Sequence, residues 1–246
     1  MPKALSARFY VALVIVSGFL VLGNAVLNAH SIATVRFVTL LVLASLAARL
    51  KVKLPGLTGT MSVNLPFILL AVALMGTAEA VTVGFVSTLA QSLPRRKQKL
   101  NLVQLVFNCT AITLAVAAAR LIFVSPSLGS VVASPSLRLA MAAAGYFTAN
   151  TVAVALVISL SEAVSPVQIW AEMFQLSFAY LVAGAGVAGI ALTIEQGIGW
   201  QVPLAVLPIM LGVFYSYRRY FAATNAAVAN SMAAAQQSGS AVAARV

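Results

Sequence analysis

Apolar residues run along this chain in eight stretches, separated by short pieces that are basic, polar or rich in proline and glycine. A helix needs about 20 residues to cross about 30 Å of hydrocarbon. On that measure the pattern predicts membrane helices over residues 11–29, 35–50, 102–123, 137–159, 174–194 and 200–217. Two shorter stretches, 64–75 and 78–93, are divided only by Gly76-Thr77 and predict a tight helical hairpin from Asn64 to Leu93, with Pro66 near the start of its first arm. Such a hairpin is too short to span comfortably, so neighbours must shelter it or the bilayer must thin around it. Ahead of it, Leu54-Pro55-Gly56-Leu57-Thr58-Gly59-Thr60 breaks helices and reads as an interfacial loop or a re-entrant turn. Residues 125–130 read as a loop, and residues 162–173 as a polar connector that sets Trp170 at an interface. Gly23-Asn24-Ala25 resembles a signal-peptide cleavage site, but the apolar stretch before it is long for one.

Composition turns this pattern into a class. The chain of 246 residues is 62% hydrophobic and 8% charged with a mean hydropathy of +1.03, which predicts an all-α polytopic membrane bundle. Its net charge of +11 sets fifteen Lys and Arg against Glu79, Glu162, Glu172 and Glu195, with no Asp. The cations sit at the ends of apolar runs, where they meet lipid headgroups rather than nucleic acid. One cysteine (Cys109) and one histidine (His30) leave no parts for an intrachain disulfide, a zinc site, a histidine-based triad or a carboxylate-bound magnesium site. The expectation is a protein without enzymatic activity or cofactor.

Charge also orients the chain. With the N-terminus inside and eight alternating segments, twelve of the Lys and Arg fall on the cytoplasmic side, against only Arg36, Arg120 and Arg138 outside. The basic run Arg95-Arg96-Lys97-Gln98-Lys99 dominates that count. Lys and Arg flanking spans are retained inside, so the expected topology is N-in/C-in in a bacterial inner membrane. Residues 1–220 then form the polytopic membrane domain and 221–246 an Ala-rich cytoplasmic tail, partly helical or disordered.

Polar groups within hydrocarbon are the default candidates for a site. Gln104 and Asn108 are four apart on one predicted helix, as are Tyr146 and Asn150 on the next, so each pair shares a helix face. If those faces meet they either line an uncharged ligand pocket or hydrogen-bond between helices. Glu79 and Arg120 both lie toward the outer face and are a candidate ion pair, with snorkelling of Arg120 to headgroups as the rival arrangement. Gly184, Ala185, Ala188 and Gly189 form two small-residue pairs at four-residue spacing, suited to close helix packing within one chain or across a homodimer.

Ser62-Val63-Asn64-Leu65-Pro66-Phe67-Ile68-Leu69-Leu70, Gly76, Glu79-Ala80, Gln91-Ser92-Leu93 and Gln104-Leu105-Val106-Phe107-Asn108 carry a resemblance, joined by Tyr146-Phe147-Thr148-Ala149-Asn150-Thr151, Leu207-Pro208-Ile209-Met210 and Tyr215-Ser216-Tyr217-Arg218-Arg219-Tyr220. Together they resemble the multi-pass N-terminal membrane region of bacterial cyclic-di-GMP signalling proteins of the HD-GYP and GGDEF type, over residues 61–220. In that family a signalling helix leads from the last span into a phosphohydrolase or cyclase domain, whereas here an Ala-rich tail follows. The resemblance implies a sensor-like membrane module with a cytoplasmic or membrane protein partner, and no cyclic-di-GMP enzymology. Two other classes compete: a small-solute binding or transport protein similar to the membrane subunits of energy-coupling-factor transporters, and an accessory subunit of a larger membrane complex.

Overall fold

The computed structural model describes residues 2–29, 34–53, 60–93, 101–199 and 201–243. Its order is α1 (Pro2–Leu27), α2 (Thr34–Ala48), β1 (Lys51–Lys53), β2 (Thr60–Ser62), α3 (Leu65–Leu74), α4 (Thr77–Ser92), α5 (Leu102–Phe123), α6 (Pro126–Val131), α7 (Pro135–Glu162), α8 (Pro166–Ile198) and α9 (Val202–Ala243). Four stretches are long and apolar enough to cross a membrane: Leu5–Leu27, Leu102–Phe123, Pro135–Glu162 and Ser177–Glu195.

The centre of the bundle is the short helix α3. Leu65 through Val72 are all buried, and the chain reverses after it through Met75 and Gly76 into α4. Pro66 lies in its first turn, where a missing N–H is harmless. At the reversal Glu79 folds back over Gly76, so that a Cβ there would lie 2.5 Å from Glu79 Oε2 and the carboxylate would have to turn aside. Around this hairpin, α5 packs most extensively against α7, α7 against α8, and α4 against α5.

Three glycines let α5 come close to its neighbours. A Cβ on Gly18 of α1 would lie 2.4 Å from Thr110 Cβ, one on Gly84 of α4 2.8 Å from Val116 Cγ2, and one on Gly145 of α7 2.3 Å from Ile122 Cδ1. Lipid tails are as apolar as leucine, so such helices are held by close packing more than by the hydrophobic effect. By contrast α1 is almost uncovered on its outer side, with Phe9, Leu13, Leu20 and Leu27 exposed.

Several expectations need correction. The helical bundle expected is present, with one addition: β1 and β2 pair antiparallel, Lys51 opposite Ser62 and Lys53 opposite Thr60, so a short β-ribbon leads into and out of the Pro/Gly stretch. Residues 54–59 themselves, the basic run Arg95, Arg96, Lys97 and Lys99, and Trp200 lie outside the described residues. Residues 126–131 form a short helix rather than a loop, started by Pro126. The supposed connector 162–173 is helical: α7 ends at Ala163 in the left-handed conformation (φ 61°), and α8 starts directly at Pro166. Beyond residue 220 α9 continues without a break to Ala243.

Candidate functional site

The densest buried polar cluster joins the foot of the α3–α4 hairpin to α8. Ser62, Asn64, Ser87 and Thr88 are buried there, and Gln91 is half-buried. Ser62 Oγ lies 2.8 Å from Asn64 Oδ1 and 2.9 Å from the Gln91 amide, and Asn64 Nδ2 donates to Ser87 Oγ at 3.4 Å. Ser87 in turn donates to the Gly84 carbonyl at 3.1 Å. A serine hydroxyl has one proton to give. With the Gln91 amide nitrogen turned to Ser62, the chain runs Gln91, Ser62, Asn64, Ser87, Gly84 carbonyl, and every hydroxyl gives its proton once.

Tyr180 of α8 closes the cluster. Its hydroxyl donates to the Ser62 carbonyl at 2.7 Å and accepts from the Leu65 N–H at 3.2 Å. Leu65 begins α3, where backbone N–H groups have no partner within the helix, so the phenol caps it from a different element. The same ring meets Tyr217 of α9 edge-on, with centroids 6.5 Å apart and planes at 88°. One side chain thus touches the ribbon, the hairpin and the last helix. Nothing in its sequence neighbourhood marked it out; a lone tyrosine amid Ala, Leu and Val was the only signal.

These hydroxyls and amides supply hydrogen bonds but no carboxylate, thiol or imidazole. Among the described residues no group of three His, Cys, Asp or Glu is placed to hold a metal ion.

The four residues proposed from sequence are not joined to one another by any hydrogen bond, and they line neither of the two clefts at the turn between α7 and α8. Gln104 is exposed, and its backbone N–H is capped by Asn101 Oδ1 at 3.2 Å. Asn108 and Asn150 are half-buried, and no hydrogen bond joins them to each other although α5 and α7 are packed together. Tyr146 is buried in the main apolar core, within electrostatic reach of Tyr180. The two described clefts lie elsewhere, at the turn between α7 and α8. One, of about 220 Å³, is lined by Val152, Ala155, Leu156, Pro166, Val167 and Trp170. The other, of about 240 Å³, is lined by Ser6, Ser159, Leu160, Ala163 and Val164. Trp170 beside the first is fixed by donating to Thr151 Oγ1 at 3.0 Å and by ring contact with Phe174.

Glu79 and Arg120 do not pair as expected. Arg120 neither reaches Glu79 within ion-pair distance nor snorkels; it turns inward and donates to the Val72 carbonyl at 2.6 Å, with the Glu79 charge nearby. Val72 belongs to the last turn of α3, whose carbonyls lack helical partners and attract a cation. Glu79 is buried at the start of α4. The ion pair that does form is Arg36 with Glu195, linking α2 to α8 at 2.6 Å. At the opposite end of α2, Arg49 donates to the Ala90 and Leu93 carbonyls at 2.9 and 3.3 Å, covering the C-terminus of α4.

The small-residue stripe of α8 faces inward. A Cβ on Gly184 would lie 3.0 Å from Leu65 Cδ2 and one on Gly189 3.6 Å from Ser136 Cβ, while Ala188 is fully buried and Ala185 is packed against the core. Ser136 reinforces the seat by donating to the Gly189 carbonyl at 3.1 Å.

The described residues therefore form a helical bundle with four helices fit, by length and composition, to cross a membrane and a buried polar joint at the foot of a helical hairpin. No protein family, curated protein or solved structure matches it.

Proposed function

We propose that this is a non-enzymatic, multi-pass module of a bacterial inner membrane with N-in/C-in topology, which passes a change of state in its bundle to a cytoplasmic partner through α9. The positive-inside count of twelve cations against three supports the orientation. The resemblance to the membrane region of cyclic-di-GMP signalling proteins supports the sensor-like reading.

The observation that carries the reading is the position of Tyr180. Its hydroxyl holds the foot of the hairpin and its ring bears on Tyr217 of α9. Beyond that contact α9 runs on as one helix from Tyr217 to Ala243, about 39 Å at the helical rise. A shift of the hairpin moves the phenol, and a stiff helix carries the displacement beyond the headgroups.

The test uses spin labels at Glu162→Cys and Ala223→Cys in a Cys109→Ala background, with the distance between α7 and α9 measured in lipid nanodiscs. Tyr180→Phe removes one donor and one acceptor and is expected to shift or broaden that distance. Ser136→Ala, which loses hydrogen bonds to the far end of the same helix, is expected to leave it unchanged. If Tyr180→Phe gives the wild-type distribution, α9 is a passive anchor and the reading fails.

A further inference from the structure

Three arginines lie at the end of the bundle away from Arg49. Arg36 is matched by Glu195, and Arg120 by the Val72 carbonyl. Arg138, in the first turn of α7, has no such match: no oxygen or nitrogen of the described residues accepts a hydrogen bond from it, and its Nε is buried without a partner. Its guanidinium carbon instead lies 5.5 Å from the centroid of the Phe123 ring. Stacking on a ring offsets part of the desolvation of a cation, but it supplies no acceptor for the terminal N–H groups.

We propose that Arg138 binds the phosphate of a single membrane phospholipid. The guanidinium presents a planar fork that suits a phosphate, and its place over the Phe123 ring keeps it at the bundle rather than free in the headgroup layer. Beside it, α6 passes at Gly129, where an added Cβ would touch Arg138 Nη1 at an ordinary contact distance of 3.6 Å, so a side chain longer than alanine there would occupy space next to the guanidinium. The surroundings select the source of the phosphate. Leu121, two residues before Phe123, Val131, two after Gly129, and Leu137, next to Arg138, are 71%, 82% and 54% exposed, apolar chain neighbours of the site that acyl chains cover and a soluble anion does not. A lone snorkelling arginine would reach freely into the headgroup layer; this one is folded onto a ring at the edge of an apolar rim.

Native mass spectrometry of the full chain, released from nanodiscs of mixed phosphatidylglycerol and phosphatidylethanolamine, tests the site. Wild-type protein is expected to keep one phospholipid per chain at an activation energy that strips the rest. Arg138→Gln should lower that occupancy about tenfold, as the loss of charge-assisted hydrogen bonds implies, and Arg138→Lys should fall between the two. Arg8→Gln, an exposed cation at the other end of the bundle, should retain the lipid. Gly129→Leu blocks the approach without removing the charge and should also lower occupancy; thermal melts by circular dichroism show that each variant is folded. The proposal is overturned if wild type keeps no lipid, or if the folded variants at Arg138 and Gly129 keep it as wild type does. It is equally overturned if inorganic phosphate at millimolar concentration protects against unfolding as well as phospholipid does, since the ligand is then a soluble anion.

Discussion

Gly18→Val is expected to release α1 from α5 and to lower the stability of the bundle by about 3 kcal/mol, the upper range for overpacking a close contact. A Cβ at Gly18 would lie 2.4 Å from Thr110 Cβ, 2.8 Å from the Thr110 carbonyl oxygen and 2.9 Å from its Cα. Two of those atoms are helix backbone, which cannot swing aside as a side-chain end can. Thr110 is itself pinned, its hydroxyl donating back to the Val106 and Phe107 carbonyls at 2.9 and 3.0 Å. The helices must therefore separate, although α1 also packs on α7 and α4, where Tyr10 donates to the Ala153 carbonyl at 3.3 Å and Phe19 meets Phe85. The separation is read with a thiol at Ala111→Cys in a Cys109→Ala background, a position shielded by the cluster it forms with Val14 of α1. Maleimide labelling should rise sharply in Gly18→Val. Gly23→Val on the same helix, where an added Cβ meets nothing within 4 Å, should leave both labelling and stability as they are. Equal effects from the two variants would show that α1 is not seated by Gly18.

The second large effect concerns the ion pair between α2 and α8. Arg36→Met leaves the carboxylate of Glu195, 8% exposed, without its counter-charge, and is expected to destabilise the bundle by about 3 kcal/mol. Glu195→Met should cost less, because the side chain of Arg36 is 34% exposed and can turn to the headgroups. Replacing both by Met should restore stability to within about 1 kcal/mol of wild type, since the harm lies in an uncompensated buried charge rather than in the loss of the pair. Steric trapping in bilayers measures all three. Additive losses in the double variant would mean that the two residues act separately, despite their 2.6 Å approach.

How much of this was legible beforehand varied by element. The hairpin from Asn64 to Leu93 could be read because Gly76-Thr77 interrupts two apolar runs, and α3 and α4 begin and end within one or two residues of those runs. The helical state of residues 162–173 could not, because Glu162, Glu172 and Gln168 look like a connector when polarity is the only guide. Only the contact of Trp170 with Thr151 shows that this stretch continues α8 along α7. The site was harder still. Helical spacing put Asn108 with Gln104 and Asn150 with Tyr146, yet spacing says which residues share a face and not what that face meets. Ser62, Asn64, Ser87, Gln91 and Tyr180 come from β2, the turn before α3, α4 and α8, and no period in the sequence relates them.

By itself the sequence determined a membrane-type helical bundle, because an uninterrupted apolar run of helical length is a local property and hydrocarbon thickness is a fixed ruler. It did not determine which apolar helix lies inside. In both α1 and α3 apolar residues prevail on every side, yet α3 is the sealed centre of the bundle while α1 presents Phe9, Leu13 and Leu20 outward. In water the hydrophobic effect would separate two such helices; against lipid it is nearly silent. The tertiary structure made the choice through the places where helices come closest and where buried polar groups find partners: Gly18, Gly84 and Gly145 around α5, Arg36 with Glu195, and the phenol of Tyr180 on the first N–H of α3.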